Sequence, residues 1–567
     1  MSHVLFLPII PLSNASSNPV GVDQAHRPYR LWDVAHVRYY QTVFSSINAP
    51  SPRLSFPVSS SGHIRSLCVL AAKIITARET VISFLVPNKS NTLDAVKHEV
   101  IRTLQENTTS LGTINVIAVG EHEPDPEGLL SFSDTTAFES VWKSIIAGQS
   151  VRCSQSGVLF HAQSPPTFVA LDSFMYTWLL VIRQLSGKSI PVYAWIVSHA
   201  GALLQWSGQG KYGLEDVIRL ALEAEDVEGG PKFVKVKSDC TGALLRIPGL
   251  PDMYDWELQI QHVPEDQLYV GMEMYKFIRD SSGLICASST AWEAEGIKGL
   301  GDFLGERNQK CFALGPMLPF YPGTTQFVKE ALHAEMSKAP NGMGENIIRF
   351  LDRHAEASVL YISWGTFWWP SNSHAIWILL DLLEKRQIPF VMSHASALAV
   401  VPDAIRAKYA DSHLGILSPW APQHNILSHE SIGFFLTHCG YNSAAESLSQ
   451  GVPLICWPIH ADQPQIAAAV TLDLDAGFEL LEVRTGEHAT KTPRRFGTGD
   501  NGKCVLSGTP EAIREEMEAL LEAMRGEEGR RKRGNARAVK ERMAKAWAEG
   551  GSATLELERL FEHHVNR

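Results

Sequence analysis

The sequence predicts an α/β chain with two parallel-sheet units in tandem. Short continuous apolar runs recur in both halves, the pattern of strands buried on both faces of a parallel sheet. Between them lie stretches with apolar residues at three- and four-residue spacing, and that alternation places helices on both faces of each sheet. At 567 residues the chain is also too long for a single core.

In the first half, "RLSFPV" (53–58) reads as a strand, "SSSGH" (59–63) as a loop and "IRSLCVLAAKIIT" (64–76) as a helix. The strands "TVISFLVP" (80–87), "TFVALD" (167–172) and "IPVYAWIV" (190–197) follow, and "LICASST" (284–290) closes the half. A polar stretch rich in Pro and Gly, 314–344, reads as a linker. The second half opens with "SVLYISWGT" (358–366) and continues through "IPFVMS", "GILSPW", "GFFLTHCG" and "PLICWP". Residues 509–564 read as mostly helical. The expected domains are therefore 53–313, 345–545 and a terminal helix at 546–567. Residues 1–52 are read as an extension of unknown role. "VLFLPII" (4–10) has the composition of a strand, yet placing it in the sheet would leave some fifty residues of loop before His63, and loops of that length are uncommon in compact domains.

Composition removes several function classes. A net charge of −11 gives no electrostatic basis for nucleic-acid binding. The basic run 529–542 alternates with acidic 515–528 and reads as solvated helix surface. Eight scattered cysteines form no CxxC pair and no ligand-spaced Cys/His set, so no metal is expected and a reducing compartment is. No apolar run approaches the roughly 18 residues of a membrane helix.

Residues 420–463 concentrate the chemistry. "GFFLTHCG" is a strand ending in Gly440, and "NSAAESLSQG" reads as a helix capped by Asn442 or Ser443. Unpaired N–H groups and partial positive charge at such a terminus suit a phosphate, and His438 sits on the lip of that loop. Glu446, three residues after Ser443, forms a capping box by spacing alone, or meets sugar hydroxyls. Trp420 follows another strand and can stack on a base; "HADQ" (460–463) follows a third. Ligand groups gather at the carboxyl ends of parallel strands, and an aromatic, phosphate donors and an Asp-Gln pair together suggest a nucleotide sugar.

The stretch closely resembles the signature box of the UDP-dependent glycosyltransferases, family 1 of the glycosyltransferases: W-A-P-Q, T-H-C-G-x-N-S, E-S, G-V-P, W-P and D-Q occur in order. The resemblance implies the GT-B fold, two Rossmann-like parallel-sheet domains facing across a cleft. It implies that Trp420, with Ala421 in the same turn, stacks uracil, and that Gln423 lies near the ribose. His438, Gly440, Asn442 and Ser443 would hold the diphosphate, with Thr366 of "SWGT". Glu446 would take the ribose hydroxyls, and Asp462 and Gln463 those of the sugar, Gln463 leaning toward glucose. Two positions depart from the family pattern: Tyr441 stands where Trp is usual, and Val197, followed by Ser198, where Thr is frequent.

A general base is needed to deprotonate the attacking alcohol, and His suits that near neutral pH. His63 in the "SSSGH" loop and Asp172 at a strand end match the family's catalytic positions. The implied chemistry is a metal-independent, inverting displacement with UDP-sugar as co-substrate and no cofactor. The implied setting is a cytoplasmic monomer with a small apolar acceptor and no nucleic-acid or integral-membrane partner. Two alternatives stay open: an inactive relative that binds UDP-sugar or a lipophile, and a nicotinamide-dependent oxidoreductase, which would need more than the single glycine of "FPVSSSGH". The literal G-x-G-x-x-G at 208–213 follows a helical stretch rather than a strand, and "SGKS" (186–189) leads into a strand, so neither has a phosphate loop's context. The Trp- and Met-bearing stretches "SFMYTWLL" (173–180) and "GTFWWP" (365–370) read first as core and second as an aglycone pocket.

Overall fold

The computed structural model describes residues 2–7, 61–89, 92–104, 111–123, 135–208, 240–262, 269–318, 336, 339, 342–496 and 506–565. A seven-stranded sheet occupies the first half: β1 (Ser2–Leu7), β2 (Thr80–Lys89), β3 (Thr113–Glu123), β4 (Phe168–Asp172), β5 (Val192–Ile196), β6 (Gly283–Cys286) and β7 (Lys310–Ala313). The strands lie in the order β7-β6-β5-β4-β1-β2-β3, every neighbour parallel. The second half forms β8 (Val359–Ser363), β9 (Phe390–Ser393), β10 (Gly415–Ser418), β11 (Ile432–Thr437), β12 (Leu454–Cys456) and β13 (Gly477–Glu479), ordered β10-β9-β8-β11-β12-β13 and again parallel throughout. Both faces of each sheet are covered, so β4, β5, β6, β8, β9 and β11 are buried at every residue, as their unbroken apolar runs require.

One reading of the sequence is corrected at once. Ser2–Leu7, read above as part of an extension, is an interior strand of the first sheet. Val4 pairs with Ile82 on one side and Phe168 on the other, and Val4, Leu5, Phe6 and Leu7 are fully buried. The strand expected at 53–58, residues 8–52, the linker segment 319–335 and all but the first residue of the 208–213 glycine motif lie outside the described residues.

Each sheet reverses its strand order once. In the first, the chain steps from β1 outward to β3 and returns beside β1 with β4. In the second it steps from β8 to β10 and returns beside β8 with β11. Such reversals open a crevice at the carboxyl ends of the two central strands, the usual ligand position in open α/β sheets. The C-terminal helix Ser552–Val565 packs on the first sheet: Phe561 and His564 meet Phe168, and Arg559 bonds the Cys311 carbonyl. A buried ionic seam also joins the halves, with Arg495 bonded to both Glu257 and Glu479, and Arg484 to Glu479.

Candidate active site

The first crevice holds His63 and Asp172. Helix α1 (Ser61–Ala77) begins two residues before His63, so the residue lies in the first helical turn rather than in the loop expected from the sequence. His63 Nδ1 lies 2.8 Å from Asp172 Oδ2. Asp172 ends β4, is fully buried, and accepts the Phe174 backbone N–H through its other oxygen at 3.2 Å. The Phe174 ring stacks on the imidazole at 5.6 Å. Burial works to lower the His63 pKa, but the Asp172 charge and hydrogen bond, with the Asp462 charge, outweigh it and leave the pKa raised. With Nδ1–H donated to Asp172, the Nε2 lone pair is the basic one.

The second crevice gathers the expected phosphate-facing groups. Thr366 follows β8 in a turn where Gly365 has φ +77°. His438 follows β11 and is buried. A Cβ at Gly440 would run into its ring, and one at Gly365 would press against it, so two glycines clamp the imidazole. Burial pushes its pKa down to about 3, which keeps the ring neutral. The helix after β11, α3 once the helix Ala200–Ser207 is taken as α2, spans Tyr441–Gln450 and is capped by Gly440 without any side-chain cap bond. The expected cap at Asn442 or Ser443 is therefore displaced: both lie inside the first turn, and the Ser443–Glu446 capping box does not form. Glu446 Oε2 instead accepts from Gln423 Nε2 at 2.8 Å, and that amide also reaches Ser443 Oγ at 3.4 Å. Trp420 is half-buried at the end of β10, and Ala421 is buried beside it.

The residues expected at the sugar end lie between the domains. Ser198, after β5, donates to Asp462 Oδ2 at 2.7 Å. Burial raises the Asp462 pKa against the pull of Ser198, the His199 backbone N–H and His63. Gln463 Oε1 accepts the backbone N–H groups of Ile459 (2.8 Å) and His460 (3.0 Å). Backbone N–H can only donate, so this fixes the amide orientation and leaves Nε2 as the donor. Arg65, two residues beyond His63, crosses the cleft to Glu446 at 3.4 Å and lies 3.6 Å from Glu99. Among the described residues, no group of three or more His, Cys, Asp or Glu is placed to hold a metal ion.

Residues 320–484 match the sequence family described as UDP-glucoronosyl and UDP-glucosyl transferase. UDP-glycosyltransferase eriJ of Hericium erinaceus is 29% identical over 451 residues, 76% of this chain and 84% of that protein. UDP-glycosyltransferase 73E1 of Stevia rebaudiana is 27% identical over 88% of this chain and 93% of its own. Among solved structures, Medicago truncatula UGT71G1 complexed with UDP-glucose superposes with a TM-score of 0.63 at 19% identity, covering 99% of this chain and 98% of that one. A Siraitia grosvenorii UGT transferase in complex with UDP gives 0.61 at 19% identity, over 100% of both chains.

The chain is similar to UDP-glycosyltransferases over most of its length.

Its fold is GT-B, as the motif box implied. Every site residue singled out from the sequence lies at one of the two crevices or between them. Three further residues carried no motif. Arg65, His199 and Glu293 act across the domains, and only the juxtaposition of distant segments reveals them. The aromatic stretches divide: Met175, Trp178 and Trp364 are buried in the cores, whereas Phe174 faces His63. "SGKS" forms the turn between the helix Tyr176–Ser186 and β5. No helix among the described residues is long and apolar enough to cross a membrane.

Proposed function

We propose that this UDP-glycosyltransferase moves a hexose, with glucose favoured by Gln463, from its UDP donor to a hydroxyl of a small apolar acceptor, inverting the anomeric carbon. The observation that carries the reading is the 2.8 Å His63–Asp172 pair at one strand reversal, facing the His438 loop and helix α3 at the other. His63 Nε2 takes the acceptor proton as the acceptor oxygen bonds to the anomeric carbon. The bond from that carbon to the β-phosphate oxygen breaks on the opposite face, and UDP leaves. Asp172 holds the imidazole in the reactive tautomer and stabilises the imidazolium that forms.

The donor lies along the second crevice, with uracil on Trp420 beside Ala421 and the ribose hydroxyls on Glu446, which Gln423 orients. Thr366, His438, Asn442, Ser443 and the amides after Gly440 receive the diphosphate. They meet the charge that grows on UDP with preorganised dipoles, His438 contributing one N–H in its neutral form. Asp462 and Gln463 take the sugar hydroxyls. The reaction so drawn calls on no metal. Phe174 over the imidazole supports an acceptor with an apolar body beside its hydroxyl.

The test is His63→Ala. UDP release from UDP-glucose, measured against a panel of phenols and aliphatic alcohols, falls by about 10²–10⁴-fold, the usual worth of a general base. UDP affinity by calorimetry stays close to wild type. Full turnover in the variant removes His63 from the mechanism.

A further inference from the structure

Tyr441, the first residue of α3, sends its phenol out of its own domain. The oxygen lies 2.7 Å from the Ala287 carbonyl and 3.0 Å from Glu293 Oε1, both in the N-terminal domain. Glu293 lies on the helix Thr290–Glu306, where the backbone leaves helical geometry (φ −143°, ψ 35°). Its side chain is fully buried. The same carboxyl accepts the Ala200 N–H at 2.6 Å and the Ser289 N–H at 3.1 Å. Ala200 opens the helix that follows Ser198, whose hydroxyl meets Asp462.

One buried carboxyl thus fixes two things that flank the donor: the start of the phosphate-facing helix, through Tyr441, and the loop that meets the sugar end, through Ala200. We propose that Glu293 is a positioning residue for the donor site, tying the N-terminus of α3 to the Ser198–Ala200 segment across the domain boundary. The inference rests on the donor-site reading above.

The hydrogen-bond count favours a neutral carboxyl. The cluster Ala287 O, Tyr441 O and Glu293 Oε1 needs two protons. A protonated Glu293 supplies one to the tyrosine oxygen, and the tyrosine gives its own to Ala287. Burial, with a smaller push from Cys286, brings the Glu293 pKa up to about 8 against the opposing pull of the Ala200 and Ser289 amides and of the Tyr441 hydroxyl. Loss of that proton above pH 8 leaves one hydrogen for three oxygens, and the phenol is no longer held at both ends. The other titratable or charged groups around Glu293 are His199, whose Nε2 lies 3.6 Å from Oε2; Tyr441 itself; the Cys286 thiol; and Arg542, which bonds the Ala291 carbonyl from the helix Glu527–Lys545. His199 is held neutral by burial, its pKa down at about 3.

The experiment is calorimetric titration of UDP-glucose into the full chain at pH 7 and pH 9, for wild type, Tyr441→Phe and Glu293→Gln, with thermal unfolding of each. Tyr441→Phe keeps the ring and loses only the bond, so its affinity at pH 7 falls about 3–10-fold, the worth of one hydrogen bond. Glu293→Gln keeps an acceptor for the Ala200 N–H and a donor for the tyrosine oxygen but loses the acceptor of the Ser289 N–H, so its affinity at pH 7 falls no further than that of Tyr441→Phe. Between pH 7 and 9 the wild type weakens more than Glu293→Gln, which has nothing to lose at that position; uracil and Cys286 titrate alike in both. Equal affinities for wild type and Tyr441→Phe, or equal pH dependence for wild type and Glu293→Gln, overturns the proposal. Absence of UDP-glucose binding in the wild type is a failure of the donor-site reading and takes this inference with it.

Discussion

In the C-terminal domain, residues 420–463 touch the ends of β10, β11 and β12, so one continuous segment carries the proposed base, phosphate and sugar positions together. In the N-terminal domain, His63 and Asp172 lie 109 residues apart in the chain and meet at 2.8 Å, and the strand between their elements comes from Ser2–Leu7. Both crevices arise from the same device, a sheet that reverses its strand order once. They differ in how far the chain travels to build it. A site built locally is legible as a motif; a site built from distant segments depends on the sheet being correctly ordered.

That contrast can be broken at its foundation. Phe6 is fully buried against Phe84 at 5.3 Å, so Phe6→Ala costs about 3–5 kcal/mol of stability, as for other large-to-small core changes. Chemical denaturation measures it. A residue in a detached extension would change stability by less than about 0.5 kcal/mol, and such a result would return residues 1–52 to that role.

The donor side is sharpened by Trp420→Ala. Stacking a base on an aromatic ring is worth about 1–3 kcal/mol by alanine substitution, so UDP affinity falls roughly tenfold or more, while the pH profile of transfer keeps its shape. An unchanged dissociation constant in calorimetry would move uracil off this ring.

The smallest effect is a displacement along the pH axis. In the proposed mechanism His63 must be neutral to act, and its pKa is raised above the ordinary value by Asp172 and Asp462. Transfer therefore declines as pH falls through that raised pKa. Asp172→Asn removes the largest raising influence and shifts the acid limb of the rate profile to lower pH, while UDP affinity is retained. An acid limb that stays in place would assign it to another group.

The strand types and the donor box were legible because their determinants are local. Apolar runs mark β4, β5, β8 and β11, and the turn after β11 is fixed by Gly440 and the clamped His438. The helix start there shifted because Gly440 supplies the cap geometry and releases Asn442 and Ser443 to the first turn. Glu446 was ambiguous by spacing alone, since three residues separate both a capping box and a ribose contact; Gln423, brought in from another strand end, settles its partner. Tyr441 was visible as a departure from the family pattern, but its purpose was not, because Ala287 and Glu293 lie in the other domain.

The sequence by itself determined two parallel α/β units and brought forward the box of residues 420–463, and through the family resemblance His63 and Asp172, as candidate sites. These follow from periodicity, from helix-terminus chemistry and from motif order, all read over short distances. Only the tertiary structure decided that the chain's first residues form an interior strand, that Arg65 and Ser198 cross the cleft, and that Glu293 joins the two sides. Parallel pairing and buried hydrogen bonds join segments hundreds of residues apart, and their energy depends on which groups are brought together away from water, a quantity that no local window of sequence contains.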